Sequence, residues 1–172
     1  MNNVAVAITI RLVHIVSGVL WVGSATMLAA YVLPAARSSD DGLRFLRELI
    51  WVRNLPRFLN VVLVLTLLSG LTLYGNLVFL THGAWAKSRH GIVLGVGGMS
   101  AILAAAVATF LAAPAIHQAL ALAEKAISPT DSGARESPLA VSRALRRYAI
   151  AMWVVVALLL VAASMRAISR YY

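Results

Sequence analysis

Arg11-Leu-Val-His-Ile-Val-Ser-Gly-Val-Leu-Trp-Val-Gly-Ser-Ala-Thr-Met-Leu-Ala-Ala-Tyr-Val-Leu-Pro34 contains an unbroken run of 22 residues, 12–33, with no acidic or basic side chain other than one histidine. A hydrocarbon layer about 30 Å thick takes roughly 20 such residues to cross as a helix. Backbone groups in lipid have no water to bond, and a helix satisfies them within itself. Membrane-barrel strands are shorter and alternate in polarity, which this run does not. The run also exceeds the apolar part of a secretory leader, and only Arg11 precedes it as a basic residue, so it reads as a retained span.

Working outward, three further runs meet or approach the same length, at 58–80, 91–116 and 148–165. The expected fold class is all-α, an integral membrane four-helix bundle. One transmembrane domain covers 1–172, with spans near 8–33, 58–80, 91–116 and 148–166, and with loops 34–57 and 117–147. Composition agrees, since 61% of residues are apolar, 12% are charged and mean hydropathy is +0.86. Soluble domains carry roughly 25% charged residues. There are no cysteines, which excludes disulfides, thiolate metal sites, iron–sulfur clusters and thiol nucleophiles. The net charge of +9 does not point to nucleic acid, because the 15 basic residues sit between and beside the apolar runs.

Four spans put both termini on one side. That side holds five basic residues: Arg11, Lys87, Arg89, Arg166 and Arg170. The loop side holds ten: Arg37, Arg44, Arg47, Arg53, Arg57, Lys125, Arg135, Arg143, Arg146 and Arg147. The positive-inside rule makes the loop side cytoplasmic and turns both termini outward, in a multi-pass protein of a bacterial-type inner membrane. All six acids (Asp40, Asp41, Glu48, Glu124, Asp131, Glu136) fall in the loops, which argues against a carboxylate proton path through the spans.

The loops have their own pattern. Ser39 or Asp40 can cap a short helix with Leu43, Leu46, Leu49 and Ile50 on one face and Arg44, Arg47 and Glu48 on the other, the spacing of an interfacial helix. Pro114 is expected to kink the third span near its inner end, with a surface helix continuing over 115–127. The stretch 128–138 is rich in turn formers and is expected to be mobile. His14 with Pro34, and His90 with Pro114, repeat one layout in the two halves and suggest a duplicated hairpin.

Ionisable groups within a span are costly and are candidates for function. His14 lies three residues beyond Arg11, and His90 directly follows Arg89, so both sit within about one turn of an outer-side arginine. The first and third spans run in the same direction, which places the two imidazoles at similar depth and able to face each other. Beside His14 lie Ser17, Gly18, Trp21 and Ala25; the corresponding series from His90 is Val93, Leu94, Gly97 and Ala101, with Gly91, Gly95 and Gly98 nearby. Small residues permit close approach of a helix or of a flat cofactor. Two imidazoles on different helices form the ligand set of a b-type haem in a bundle, with Arg11, Arg89, Lys87 and Arg166 available to its propionates. The plain alternatives are helix packing for the small residues and interfacial solvation for the histidines. His82 reads as a solvated loop residue, and His117 has no histidine partner at its depth.

The stretch from Arg11 to Gly23 with Val-Leu-Pro34, and Arg57-Phe-Leu-Asn60 with Leu67-Leu-Ser-Gly70-Leu-Thr-Leu-Tyr74, resemble a known superfamily of small multi-helix membrane proteins. It includes the copper-resistance protein D (CopD) family, HemJ-type protoporphyrinogen oxidases and the membrane part of cytochrome-linked urate oxidases. The likeness covers the first half well and the second half in layout. It implies that the family's first-helix histidine falls on His14. HemJ-type proteins carry an essential lysine at the start of the third helix, where this chain has His90 with Lys87 one turn earlier; that departure sets protoporphyrinogen oxidation aside and leaves haem. The CopD likeness implies copper, which favours His and Met ligands, yet Met27, Met99, Met152 and Met165 form no close-spaced motif.

Three functions follow as expectations. The first is a haem b protein that transfers electrons, or acts as an oxidoreductase, near the outer face, exchanging with quinone or a soluble carrier. The second is a copper-handling protein of the CopD kind. The third is an accessory subunit whose helices pack in a homo-oligomer or larger membrane complex.

Overall fold

The computed structural model describes residues 4–39, 41–127 and 138–171. Helix α1 (Val4–Met27) passes through a π turn (Leu28–Val32) into α2 (Leu33–Ser38). A short α3 (Gly42–Arg47) runs into a second π turn (Glu48–Val52), and α4 (Leu55–Leu80) follows. A 3-10 turn (Trp85–Lys87) leads to α5 (Arg89–Val107), a third π turn (Ala108–Ala112) and α6 (Ala113–Ile127). Last come α7 (Pro138–Ile168) and a 3-10 turn (Ser169–Tyr171). The described residues contain no strand. Four rods are long and apolar enough to cross a membrane: Val4–Ser38, Leu55–Leu80, Arg89–Glu124 and Leu139–Tyr171. The helical class and four long apolar helices expected from sequence are therefore present, and the helices are longer because the chain stays helical beyond the apolar runs.

Two of the three π turns share a cause, a proline just beyond them. Proline lacks an N–H, and its ring clashes with the carbonyl four residues back. In the first rod Leu33, just before Pro34, donates to Leu28 O, five residues back; in the third, Ala113, just before Pro114, donates to Ala108 O. Widening the turn in this way moves the obstructing carbonyl aside. The adjustment at Pro114 thus precedes the proline as a π turn. Its recurrence at the same distance before Pro34 gives the repeated His–Pro layout a structural counterpart.

α1 packs against α4, while α5 and α6 pack against α7. The two hairpins meet through α1 with α7 and α4 with α5, which leaves α1 and α5 at opposite corners. The terminal end gathers the start of α1, the end of α4, the start of α5 and the end of α7; the loop end gathers the rest. Large buried apolar residues concentrate toward the loop end, with Leu28, Leu33, Leu46, Ile116, Leu145 and Met152 among them. The terminal half is different inside: apart from Leu159, which is buried at the level of Ser100, its buried side chains are mostly small or polar, including Ser17, Thr66, Ser69, Ser100 and Ser169. Outward faces carry Leu12, Ile15, Val19, Leu68, Leu71, Ile102 and Leu160, an apolar belt of the kind a soluble surface does not maintain.

The loop elements match their sequence pattern. Leu46 and Ile50 are buried, Leu43 and Leu49 half-buried, and Arg44, Arg47 and Glu48 exposed. The residue preceding α3 is Asp41, which makes no side-chain cap; Asp40 lies outside the described residues. α6 buries Ala115, Ile116, Ala119 and Leu120 against α7. The turn-rich stretch 128–137 also lies outside the described residues.

Candidate functional site

His14 is the centre of a polar cluster between α1 and α4. Its Nδ1 lies 2.9 Å from Thr66 O and 3.2 Å from Ser69 Oγ. A carbonyl only accepts, so Nδ1 carries the proton, and in the neutral imidazole that leaves Nε2 with the lone pair. The Ser69 hydroxyl donates to Leu65 O, which leaves its oxygen free to accept from the imidazole. Thr66 Oγ1 lies 2.9 Å from Ser17 Oγ, and Ser17 itself donates to Val13 O at 2.7 Å. Each hydroxyl thus has a carbonyl one turn back, the arrangement that makes Ser and Thr tolerable inside an apolar helix. Gly70 makes room for the ring: a Cβ there would meet His14 Cε1 at 2.8 Å and Nδ1 at 3.2 Å.

His90 follows the same scheme at the terminal end of α7. Its Nδ1 donates to Ser169 O at 2.8 Å, which in the neutral imidazole again leaves the lone pair on Nε2. Ser169 is fully buried and donates to Arg166 O. Trp85 packs beside the imidazole with ring centroids 5.8 Å apart, and Tyr74 packs on Trp85 at 5.1 Å. Tyr74 also donates to Gly91 O at 3.3 Å, so α4 measures the depth of both histidines. His14 lies level with Thr66–Gly70, and Tyr74, whose hydroxyl reaches Gly91 O beside His90, is four to eight residues, about 6–12 Å of helix rise, further along. The two imidazoles are thus offset along the bundle by at least about one turn, and they lean on different partners, His14 on α4 and His90 on the end of α7.

The other candidate residues fall as follows. Ser17 and Trp21 are buried on the face of α1 that carries His14. Gly18 stands on that face as well, with ordinary contact to Thr66, whose Cγ2 would be 3.8 Å from an added Cβ. Gly97 is tighter, since a Cβ would lie 3.1 Å from Met165 Cβ and 3.3 Å from Ala162 O of α7. Arg11 and Arg89 are exposed at the terminal end. Lys87, Arg166 and Arg170 are exposed at the same end, and no acid among the described residues belongs to it. The small-residue faces are thus brought against α4 and α7, and the cations form a rim above them.

Sequence reading missed Thr66, Ser69 and Ser169 as partners of the histidines. Gly70 carried a signal, because a Ser-Gly pair breaks an otherwise bulky run at the depth of His14. Ser169 carried none, since its contribution is a backbone carbonyl. The reading also passed over the loop end, where a cleft of about 580 Å³ lies between Trp51, Arg57, Asn60 and His117. Among the described residues no three His, Asp or Glu side chains gather to hold a metal ion unaided. The methionines are dispersed: Met27 and Met99 face outward, Met152 is in the core and Met165 packs on Gly97.

Neither the protein-family models, nor the curated proteins, nor the solved structures compared with this chain gave a match.

Proposed function

We propose that this chain is a multi-pass protein of a bacterial-type cytoplasmic membrane, with outward termini, that binds one b-type haem through His14 and His90 near the outer face. The observation that carries the reading is the shared state of the two imidazoles. Each spends its Nδ1 proton on a backbone carbonyl, which in the neutral ring leaves Nε2 as the ligating nitrogen, the anchoring of a metal-ligating histidine. A porphyrin brings four nitrogens of its own and needs only one or two imidazoles from the chain. The donor chemistry of this half therefore suits haem better than copper, for which no His–Met group is assembled.

When bound, the haem supplies one-electron chemistry, and the chain's own residues hold and tune it. Thr66 O and Ser169 O would orient the ligands and raise their basicity. Arg11, Lys87, Arg89 and Arg166 would give the propionates counter-charge. Gly18 already faces Thr66, and Gly97 already closes on Met165. A flat macrocycle on these faces therefore requires α1 to part from α4, or α5 from α7, beyond this packing. Electrons would reach a quinone or a soluble carrier from the outer face. The resemblance of the first two spans to the CopD and HemJ-like superfamily supports the same assignment at His14.

One observation favours a second reading. Both Nδ1 bonds join separate helices, so the imidazoles can serve as structural ties in an accessory subunit of a larger membrane complex. Haem and metal content of the purified chain decides between them. Stoichiometric haem supports the first reading, stoichiometric copper the CopD-like alternative, and a colourless metal-free protein the structural one.

A further inference from the structure

The cleft at the loop end belongs to neither histidine site. It follows α4 from Asn54 to Leu65, about 16 Å of helix rise, and is closed laterally by Trp51 and by His117 of α6. Its two ends differ in chemistry. Asn54, Arg57, Asn60 and His117 sit toward the loops, and Val64 and Leu65 continue into the apolar run of α4. Asn54, which lines this mouth, takes a left-handed conformation (φ 52°) at the start of α4, which asparagine tolerates better than most residues. Trp51 stands edge-on to His117 with ring centroids 5.5 Å apart.

Charge selects the occupant. Neighbouring Arg47 pairs with Glu124 at 3.1 Å, and Arg53 with Glu48 at 3.5 Å. Arg57 makes no ion pair among the described residues, and no acid lines the cleft. A guanidinium left without a carboxylate, flanked by neutral hydrogen-bonding side chains, suits a phosphate oxygen. The apolar continuation below it suits an acyl chain rather than a free ion. We infer that this cleft is a binding site for one phospholipid with a net negative headgroup, its phosphodiester at Arg57, Asn60 and His117 and its chain along Val64 and Leu65. The inference rests on the membrane reading above, which puts Arg57 at the edge of the hydrocarbon and the loop end in the leaflet where anionic lipids attract basic segments.

The full chain, reconstituted in phosphatidylcholine vesicles, tests it with lipids brominated in their acyl chains. The signal is the emission lost in Trp51→Phe, taken as the difference between wild type and that variant. Brominated phosphatidylglycerol is expected to quench it at a several-fold lower mole fraction than brominated phosphatidylcholine. Arg57→Gln, and Val64→Phe, which fills the apolar end, should abolish the preference while helical circular dichroism is unchanged. Arg44→Gln, the same charge change outside the cleft, should keep it. Equal quenching by the two lipids overturns the site. Equal loss of preference in Arg44→Gln overturns it too, by reducing it to general attraction. Full relief of quenching by millimolar inorganic phosphate overturns the lipid as occupant. Quenching by neither lipid at any mole fraction removes the membrane reading along with the site.

Discussion

His14 donates through Nδ1 to the carbonyl of Thr66, 52 positions away in the chain, at 2.9 Å. The bond fixes one end of the imidazole against α4 and leaves the other nitrogen uncommitted. Gly70, one turn beyond Thr66, is what lets the ring sit there. A ligand histidine and a structural tie share this geometry, and the consequences below separate them.

Gly70→Ala should displace the His14 ring, because the new Cβ would come within 2.8 Å of Cε1 and the neighbour is a pinned ring. Such overpacking costs about 1–3 kcal/mol, which exceeds the roughly 1 kcal/mol that alanine gains over glycine in a helix. Gly75→Ala, which meets nothing within 4 Å, should be neutral or mildly stabilising. Thermal unfolding in detergent, read beside haem content, checks the pair.

Gly97→Ala and Gly18→Ala should also diverge. The first forces Met165 and the α7 backbone to give by a few tenths of an ångström; the second makes an ordinary contact at 3.8 Å. Gly97→Ala is expected to destabilise by about 1 kcal/mol or more and Gly18→Ala to be neutral or better. Equal unfolding midpoints would contradict the tight α5–α7 seam.

Which parts of this were legible in the sequence follows from their physics. Long apolar runs report burial in lipid regardless of partners, so the four helices were readable from residues 12–33 outward. The α3 face was readable because Leu46, Ile50 and Arg44 obey a helical period. The partners of His14 and His90 were not, since both are backbone carbonyls and any residue supplies one. Helix neighbours were also hidden: parallel direction and similar depth say nothing about corner order, and α1 and α5 occupy opposite corners. Arg57 with His117 escaped because the two lie 60 residues apart and only tertiary packing brings them to one cleft.

Thr66→Val removes the hydroxyl that reaches Ser17 but keeps the carbonyl that receives His14. Hydrogen bonds between membrane helices average about 0.6 kcal/mol, so the expected loss is under about 1 kcal/mol. Haem content should stay at wild-type level. A large loss of haem in this variant would place the hydroxyl, not the carbonyl, behind His14.

Reporter fusions at the C terminus should be active only in a periplasmic-type assay, given ten basic residues at the loop side and five at the terminal side. Activity confined to a cytoplasmic reporter would reverse the orientation and move both histidines to the inner face.

Absorption spectra of the purified chain, oxidised and then reduced, test the haem assignment most directly when taken for wild type and for four single variants. Wild type should show a six-coordinate b-type spectrum, and His14→Ala and His90→Ala should each convert it to a five-coordinate form or abolish it. His82→Ala and His117→Ala should leave it unchanged. A colourless wild type, or a six-coordinate spectrum that survives His14→Ala and His90→Ala alike, would contradict the account.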